Sequence, residues 1–230
     1  MARAAGIAKN HRVLEIGREH RRALVIEDFL ADPAALLAMA ARSVFRPRVR
    51  FYPGVQAPFP FERMAALIAP HKPALREIFG VGPSLALVES GFAMVTTPPG
   101  DLAPLQRIPH VDTTDPDRLA ILCYVSGAGF GGTAFYRHKS TGYEFIDASR
   151  HAAYNAALDR DVERLGVPEP GYIDGDTDLF EMIASVDAKP GRAVIYPSNS
   201  LHSGSIRNAD RLSHRVAAGR LTLNAFVVPA

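Results

Sequence analysis

Scarcity of cysteine, of long apolar runs and of net charge limits what this chain can encode. Cys123 is the only cysteine in 230 residues, so no disulfide can form within the chain, and its position in an apolar run predicts a buried free thiol. No stretch approaches the roughly 20 consecutive apolar residues of a membrane span, and the N-terminus lacks the apolar core and cleavage site of a signal peptide. The formal net charge is only +2 and gives no argument for nucleic acid. We therefore expect a soluble, cytoplasmic protein with neither nucleic-acid nor membrane partners.

The length and the apolar content predict a single domain with a sizeable core, since 47% of the 230 residues are hydrophobic. In the N-terminal part, residues 13–16 and 23–29 are typical of a β-hairpin. Asp32 and Pro33 are typical of the start of a helix, which we expect over residues 34–44. A second helix is expected over residues 62–79, with an interruption near Pro70 and Pro73.

A short motif, His110-Val111-Asp112, provides two potential metal ligands. In an extended segment residues i and i+2 point to the same face, so the imidazole of His110 and the carboxylate of Asp112 can reach one ion. A second histidine would complete a two-His-one-carboxylate triad, which leaves positions on Fe(II) open for a co-substrate and O₂. Asp115 and Asp117 follow in a turn signal, where capping of the turn is the expected role.

The third ligand is predicted to be His202. It follows a strand–turn–strand pattern over residues 186–197. His214 is the competitor, but it lies between Arg211 and Arg215, and a cationic neighbourhood disfavours cation binding. His71 has no partner at metal-ligand spacing and is expected to be a surface or capping residue.

The last strand carries an unusual alternation. Arg220, Thr222, Asn224 and Phe226 share one face, and an apolar row shares the other. This pattern is typical of a strand that lines a polar barrel interior. A buried arginine requires a carboxylate partner, and no acidic residue lies nearby in sequence. A bound dicarboxylate would supply that partner, as would a carboxylate from a distant part of the chain.

The order of these motifs, HxD, YxS, GGTxFY, His and GRxTxNxF, resembles the Fe(II)/2-oxoglutarate-dependent dioxygenases, especially their prolyl-4-hydroxylase-like branch. The resemblance covers roughly residues 85–228. It implies an α+β, mainly β fold with a double-stranded β-helix (jelly-roll) core. Residues 85–136 and 186–228 would supply the core strands, residues 1–84 an N-terminal helical and hairpin elaboration, and residues 137–185 a helical insertion.

The same resemblance implies roles for individual residues. Iron would be held by His110, Asp112 and His202, and the distal carboxylate of 2-oxoglutarate by Arg220. Further co-substrate contacts are expected from Thr222, Tyr124 and Gln106. The spacing from His202 to Arg220 is longer than is usual in that branch, so the alternative co-substrate arginines are Arg207, Arg211 and Arg215.

The insertion is the first candidate for substrate selection, because elaborations of a rigid scaffold commonly carry specificity. A lid packed only for stability is the equal alternative. One helix is expected over residues 149–165 and a shorter one over residues 177–185. The candidate substrate-binding residues are Tyr136, Arg137, His138 and Asn224, and the loop residues Arg50 and Tyr52 are candidates for the mouth of the site.

The resemblance implies an enzyme that uses Fe(II), 2-oxoglutarate and O₂ to hydroxylate a peptide, an amino acid or another small metabolite, with release of succinate and CO₂. Two alternatives stay open. The chain could be a catalytically inactive jelly-roll module that binds a metal or a carboxylate. It could also be a cupin-like metalloenzyme that does not use 2-oxoglutarate and does not need Arg220.

Overall fold

The computed structural model describes residues 8–47, 51–126 and 129–230. In these ranges the strands are β1 (His11–Ile16), β2 (Arg21–Ile26), β3 (Gly54–Pro58), β4 (Leu85–Val95), β5 (Leu119–Tyr124), β6 (Gly132–His138), β7 (Phe180–Asp187), β8 (Ala193–Pro197), β9 (His202–Gly204) and β10 (Arg220–Pro229). The α-helices are α1 (Pro33–Ala40), α2 (Phe61–Ile68), α3 (Lys72–Phe79) and α4 (Ala148–Leu165). None of the helices in the described ranges is long and apolar enough to cross a membrane.

The strands form two antiparallel sheets, so the mainly β prediction is confirmed. The large sheet has the order β1-β2-β8-β5-β10-β4-β3, and the small sheet has the order β7-β6-β9. Sequence neighbours β4 and β5 are separated by β10 in the large sheet, which makes the C-terminal strand central to the fold.

The two faces of β10 pack against different layers, as its alternation predicts. Leu221 and Leu223 are fully buried in the core between the large sheet and helices α1 to α3. Cys123 belongs to the same core, as the predicted buried free thiol, and burial raises the pKa of that thiol. The opposite face of β10 looks towards the small sheet, and the space between the sheets holds the site described below.

The N-terminal elements follow the sequence signals closely. The hairpin is present as β1 and β2, and the side chain of Asp32 accepts a hydrogen bond from the backbone N–H of Ala35 to cap α1. The second helix is divided into α2 and α3 by a 3₁₀ turn, Ala69–His71, at the two prolines. Because β1, β2 and β3 all join the large sheet, the N-terminal part extends that sheet as well as covering it.

One helix expected from the sequence is a strand in the structure. The sequence predicts a short helix over residues 177–185, but β7 (Phe180–Asp187) occupies this region and pairs with β6 along its length. The prediction is wrong because the local pattern does not reveal that one edge of β6 needs a partner. Unpaired N–H and C=O groups of a buried strand are costly, so strand pairing overrides the local preference. The other expected helix of this segment is confirmed as α4.

Candidate metal and co-substrate site

Three predicted ligands converge at one end of the space between the sheets. The Nε2 atom of His110 lies 3.7 Å from Oδ1 of Asp112, and Nε2 of His202 lies 3.7 Å from Oδ2 of the same carboxylate. The potential ligand atoms all lie within 4.8 Å of one another. Two imidazole nitrogens and one carboxylate oxygen therefore surround a common point, which is the donor set of a facial triad.

Backbone hydrogen bonds fix this convergence. The N–H of His110 donates to the carbonyl of His202 at 2.9 Å, and the N–H of His202 donates to the carbonyl of His110 at 2.9 Å. The N–H of Asp112 donates to the carbonyl of Ser198, also at 2.9 Å. The HxD segment thus runs extended alongside β9, which is the conformation that its spacing predicts.

The side chain of His202 is oriented by its surroundings. Its Nδ1 lies 2.9 Å from the carbonyl oxygen of Ser200, which can only accept, so Nδ1 carries the proton and Nε2 is left free for a metal. The ring of Tyr196 packs edge-on against His202 at 4.8 Å. Burial lowers the pKa of His202 to about 4, so this imidazole is neutral at pH 7.

The carboxyl group of Asp112 is ionised at neutral pH. Burial raises its pKa, but the electrostatic effects of His202, His110 and Arg118 outweigh burial, so the pKa lies below its ordinary value. A neutral imidazole and an ionised carboxylate are the forms that bind metals. The electrostatics of the cluster therefore match the geometry.

The cluster opens into a cavity of about 760 Å³ between the two sheets. Inward-facing residues of the large sheet form one wall, and the HxD segment and β9 form another. The polar residues that line the cavity besides the three ligands are Tyr52, Gln56, Glu89, Gln106, Arg118, Thr133, His151, Tyr154, Asn155, Tyr172, Tyr196, Ser203, Arg220, Thr222 and Asn224.

Arg220 lies in this cavity and is only 3% exposed. Its Nη2 donates to the carbonyl oxygen of Gly132 at 2.8 Å, whereas Nε has no hydrogen-bond partner. The ring of Tyr124 lies 6.0 Å from the guanidinium carbon. No carboxylate of the described residues forms an ion pair with Arg220.

The alternative arginines lie elsewhere. Arg207 pairs with Asp174 at 2.8 Å, and Arg211 stacks over Phe130 with 5.8 Å to the ring centre. Both are exposed, as is Arg215, and none of the three lines the cavity. His214 is likewise exposed and outside the metal cluster, and His71 contacts His11 on the far side of the large sheet.

The other co-substrate candidates differ in their position. Thr222 lines the cavity, with its hydroxyl donating to the carbonyl of Ala93 at 3.3 Å. Gln106 is at the rim and bonds the backbone of its own 3₁₀ turn, through the N–H of Ala103. Tyr124 is behind the lining, and its hydroxyl is 2.8 Å from that of Thr133, which does reach the cavity.

Of the four substrate-binding candidates the structure brings only Asn224 into the cavity. Tyr136 is fully buried between the small sheet and α4. Arg137 forms ion pairs with Glu144 and Glu181, and His138 lies 3.4 Å from the carboxylate of Asp161. Tyr136 lies outside the cavity because it shares a face of β6 with Ala134, and both pack in the cluster between the small sheet and α4. Arg137 and His138 lie outside the cavity with their acidic partners.

Several lining residues were not singled out from the sequence. Tyr196 faces the cavity because β8 alternates towards it, a period-2 signal present in the sequence but not used. Arg118, Glu89 and Tyr172 reach the cavity only through tertiary packing. Tyr52 lines it as the loop pattern suggested, whereas Arg50 lies outside the described residues.

Solved structures with a similar fold include HygX from Streptomyces hygroscopicus with nickel and 2-oxoglutarate bound. The likeness to it has a TM-score of 0.54 at 12% identity and covers 90% of this chain and 83% of HygX. The non-haem α-ketoglutarate-dependent epimerase SnoN from nogalamycin biosynthesis gives a TM-score of 0.53 at 14% identity, over 90% of this chain and 76% of SnoN. At these identities the likeness establishes a common fold.

Sequence comparison gives the family. No curated protein matches this chain significantly. The profile of a family of unknown function, DUF6445, matches residues 8–227. Since that match spans nearly the whole chain, the protein belongs to the DUF6445 family.

Proposed function

We propose that this protein is a non-haem Fe(II)/2-oxoglutarate-dependent oxygenase of the prolyl-4-hydroxylase-like branch, with a double-stranded β-helix core. The observation that carries the proposal is the buried, unpaired guanidinium of Arg220 in the same cavity as a two-His-one-carboxylate cluster. Either feature alone is compatible with several kinds of protein. Together they provide a metal site and an anchor for a dicarboxylate.

The residues of the cluster fit an iron ion. His110 and His202 each offer an imidazole nitrogen, that of His202 being neutral at pH 7, and Asp112 offers one anionic oxygen. The hydrogen bond from Nδ1 of His202 to Ser200 leaves Nε2 as the only nitrogen that can bind the ion. A facial set of three protein ligands leaves positions for a bidentate co-substrate and O₂.

Arg220 fits the distal carboxylate of 2-oxoglutarate. An unpaired guanidinium at 3% exposure is destabilising by several kcal/mol unless an anion accompanies it. Its free Nε–H and the adjoining Nη edge suit the planar fork of a carboxylate. Thr222, two residues along the same face of β10, adds a hydroxyl to this end of the cavity.

Two neighbours in structure support the cofactor assignment. HygX holds nickel and 2-oxoglutarate, and SnoN is an α-ketoglutarate-dependent epimerase. SnoN illustrates that the fold serves outcomes other than hydroxylation. We assign hydroxylation to this chain because of its motif resemblance to the prolyl-4-hydroxylase-like branch, with a peptidyl, amino-acid or small-metabolite substrate.

The protein's own residues bind the iron, orient the co-substrate and exclude water. When bound, the iron with 2-oxoglutarate and O₂ supplies oxidation of a C–H bond to C–OH, with conversion of the co-substrate to succinate and CO₂. Asp112 and the two histidines would occupy three coordination positions of the iron, and Arg220 would fix the orientation of the co-substrate. Tyr196 packs on His202 and excludes water from its side of the site. No side-chain general base is required for this chemistry.

The first test measures succinate production from 2-oxoglutarate by Fe(II)-loaded protein exposed to air. The second measures binding of 2-oxoglutarate through the charge-transfer absorbance of its Fe(II) complex. We expect both signals in the native protein. Asp112→Ala should lose both, and Arg220→Ala should lose co-substrate binding. Arg207→Ala is the matched control, because this exposed arginine lies outside the cavity.

Folded native protein that gives neither signal would contradict the proposal and favour a binding module. An Arg220→Ala protein that oxidises substrate normally would favour a cupin-like enzyme that does not use 2-oxoglutarate. Circular dichroism of each variant establishes that it is folded before either conclusion is drawn.

A further inference from the structure

A second polar wall lies in the same cavity at the opposite end of β10 from Arg220. Phe226 faces the cavity there and pairs across the sheet with Glu89 on β4 and Ala120 on β5. Six residues of extended strand separate Arg220 from Phe226, which is roughly 20 Å. A five-carbon dicarboxylate bound at Arg220 cannot reach this wall, so its polar groups are available to another molecule.

The guanidinium of Arg118 is the dominant feature of the wall. It stacks over the ring of Phe226 with 4.1 Å from the guanidinium carbon to the ring centre, and its Nε is buried without a hydrogen-bond partner. Stacking on an aromatic face leaves the edge of a guanidinium free to bind an anion. Arg137, in contrast, uses its donors on Glu144 and Glu181.

A carboxylate stands beside this cation, and an amide oxygen lines the same cavity two residues along β10 from Phe226. Oε2 of Glu89 lies 3.7 Å from Nη2 of Arg118, which is too far for a hydrogen bond. The side chain of Glu89 is 40% exposed and lines the cavity. The Oδ1 atom of Asn224, on the neighbouring strand, is buried and has no donor. The wall thus offers donors to an anion and acceptors to a cation, side by side.

We propose that this wall is a subsite for the zwitterionic head of a free α-amino acid. Arg118 binds the α-carboxylate, Glu89 binds the α-ammonium, and Oδ1 of Asn224 accepts a hydrogen bond from the same ammonium. The assignment rests on the proposed oxygenase function and selects among its substrate classes. A residue within a peptide is excluded from this subsite, because peptide bonds remove both charges.

The experiment uses full-length protein loaded with Ni(II) and 2-oxoglutarate, which does not turn over. Binding of each of the twenty proteinogenic amino acids is measured by isothermal titration calorimetry. The tightest binder is then compared with its N-acetyl derivative and its carboxamide. We expect at least one free amino acid to bind and each blocked derivative to bind at least tenfold more weakly.

Variants separate the two halves of the subsite. Arg118→Gln should weaken binding of the free amino acid at least tenfold. Glu89→Gln should weaken binding of the free amino acid but not binding of its N-acetyl derivative, which lacks the ammonium. Arg211→Gln is the matched control, because Arg211 also stacks on a phenylalanine but lies outside the cavity. Unchanged 2-oxoglutarate binding shows that each variant is folded.

Absence of binding by all twenty amino acids, in protein that binds Ni(II) and 2-oxoglutarate, would overturn the subsite and leave the oxygenase proposal intact. Equal binding of the blocked derivatives, or equal behaviour of Arg118→Gln and Arg211→Gln, would overturn it as well. Conversely, Arg118-dependent binding in a protein that does not bind 2-oxoglutarate would support the subsite and contradict the oxygenase function.

Discussion

Arg220 and Gly132 are joined by a hydrogen bond of 2.8 Å from Nη2 of the arginine to the carbonyl oxygen of the glycine. This bond ties the first residue of β10 in the large sheet to the first residue of β6 in the small sheet. It occupies one edge of the guanidinium and leaves Nε unsatisfied. One side chain therefore both joins the sheets and presents donors to the cavity.

Replacing Arg220 by lysine should separate these two tasks. A single ammonium cannot hold Gly132 and form the two parallel bonds of a carboxylate fork, so the Kd for 2-oxoglutarate should rise at least tenfold, since a hydrogen bond to a charged group contributes about 1.5–3 kcal/mol. Titration of the Fe(II) charge-transfer band measures the effect. Arg207→Lys, in an exposed ion pair, is the control. Equal affinity in both variants would show that Arg220 does not anchor the co-substrate.

Tyr52 should contribute to the same binding site through its hydroxyl. The residue lines the cavity, burial raises the pKa of its phenol, and the charge of Arg220 acts in the opposite direction. Loss of one neutral hydrogen bond of about 0.5–1.5 kcal/mol predicts that Tyr52→Phe weakens 2-oxoglutarate binding roughly two- to tenfold. The same titration measures it. Tyr143→Phe, outside the cavity, should bind normally, and an unaltered Tyr52→Phe protein would remove this residue from the site.

Gly17 should be irreplaceable for packing reasons. Its φ is +62°, and a Cβ at this position would lie 2.2 Å from Oε2 of Glu144. That carboxylate cannot move freely, because it accepts hydrogen bonds from Arg137 and from the backbone N–H groups of Arg18 and Glu19. We expect Gly17→Ala to lower the free energy of unfolding by about 2–4 kcal/mol in urea denaturation.

The control for that experiment is Gly80→Ala. Gly80 has a similar φ of +68°, but nothing lies within 4 Å of the Cβ position, so only backbone strain of about 1 kcal/mol is expected. If the two variants lose the same stability, the contact with Glu144 is not responsible for the requirement.

The pair of His11 and His71 should make stability depend on pH. Nε2 of His11 lies 3.0 Å from Nδ1 of His71, and His71 stacks on Phe29 at 5.0 Å. Burial, followed by the charge of His11, lowers the pKa of His71 to about 4. As pH falls from about 6.5 to about 4 the unfolded chain takes up a proton that the folded protein does not, so stability decreases over this window.

His71→Asn should flatten that decrease, because the amide oxygen can accept the hydrogen bond but does not titrate. The expected difference is about 1–2 kcal/mol between pH 6.5 and pH 4, since the ring is partly exposed to solvent. Urea denaturation across the pH range measures it. The native protein, measured in the same buffers, is the reference. A His71→Asn profile parallel to that of the native protein would contradict the assignment.

The sequence was informative where local rules suffice. The two-residue period gave the shared face of His110 and Asp112 and the inward row of β10, because alternation is a property of any extended segment. Proline and capping signals gave the division between α2 and α3 and the start of α1. These features depend on residues close in sequence, and the structure has them where they were expected.

The sequence was uninformative where distant contacts decide. Nothing near β6 reveals that Glu144 pairs with Arg137, or that α4 packs over the face of β6 that carries Tyr136. The residues around β7 resemble a helix until the unpaired edge of β6 is known. The residues around Arg118 give no sign in the sequence that its guanidinium stacks over the ring of Phe226.

The reciprocal backbone hydrogen bonds between His110 and His202 have a consequence for how the site is assembled. Main-chain pairing holds the two histidines next to each other. Loading the centre therefore orders few dihedral angles, and the entropic cost of capturing the ion is small. A chelator should be able to strip the centre without melting the sheets, and the emptied protein should be ready for remetallation.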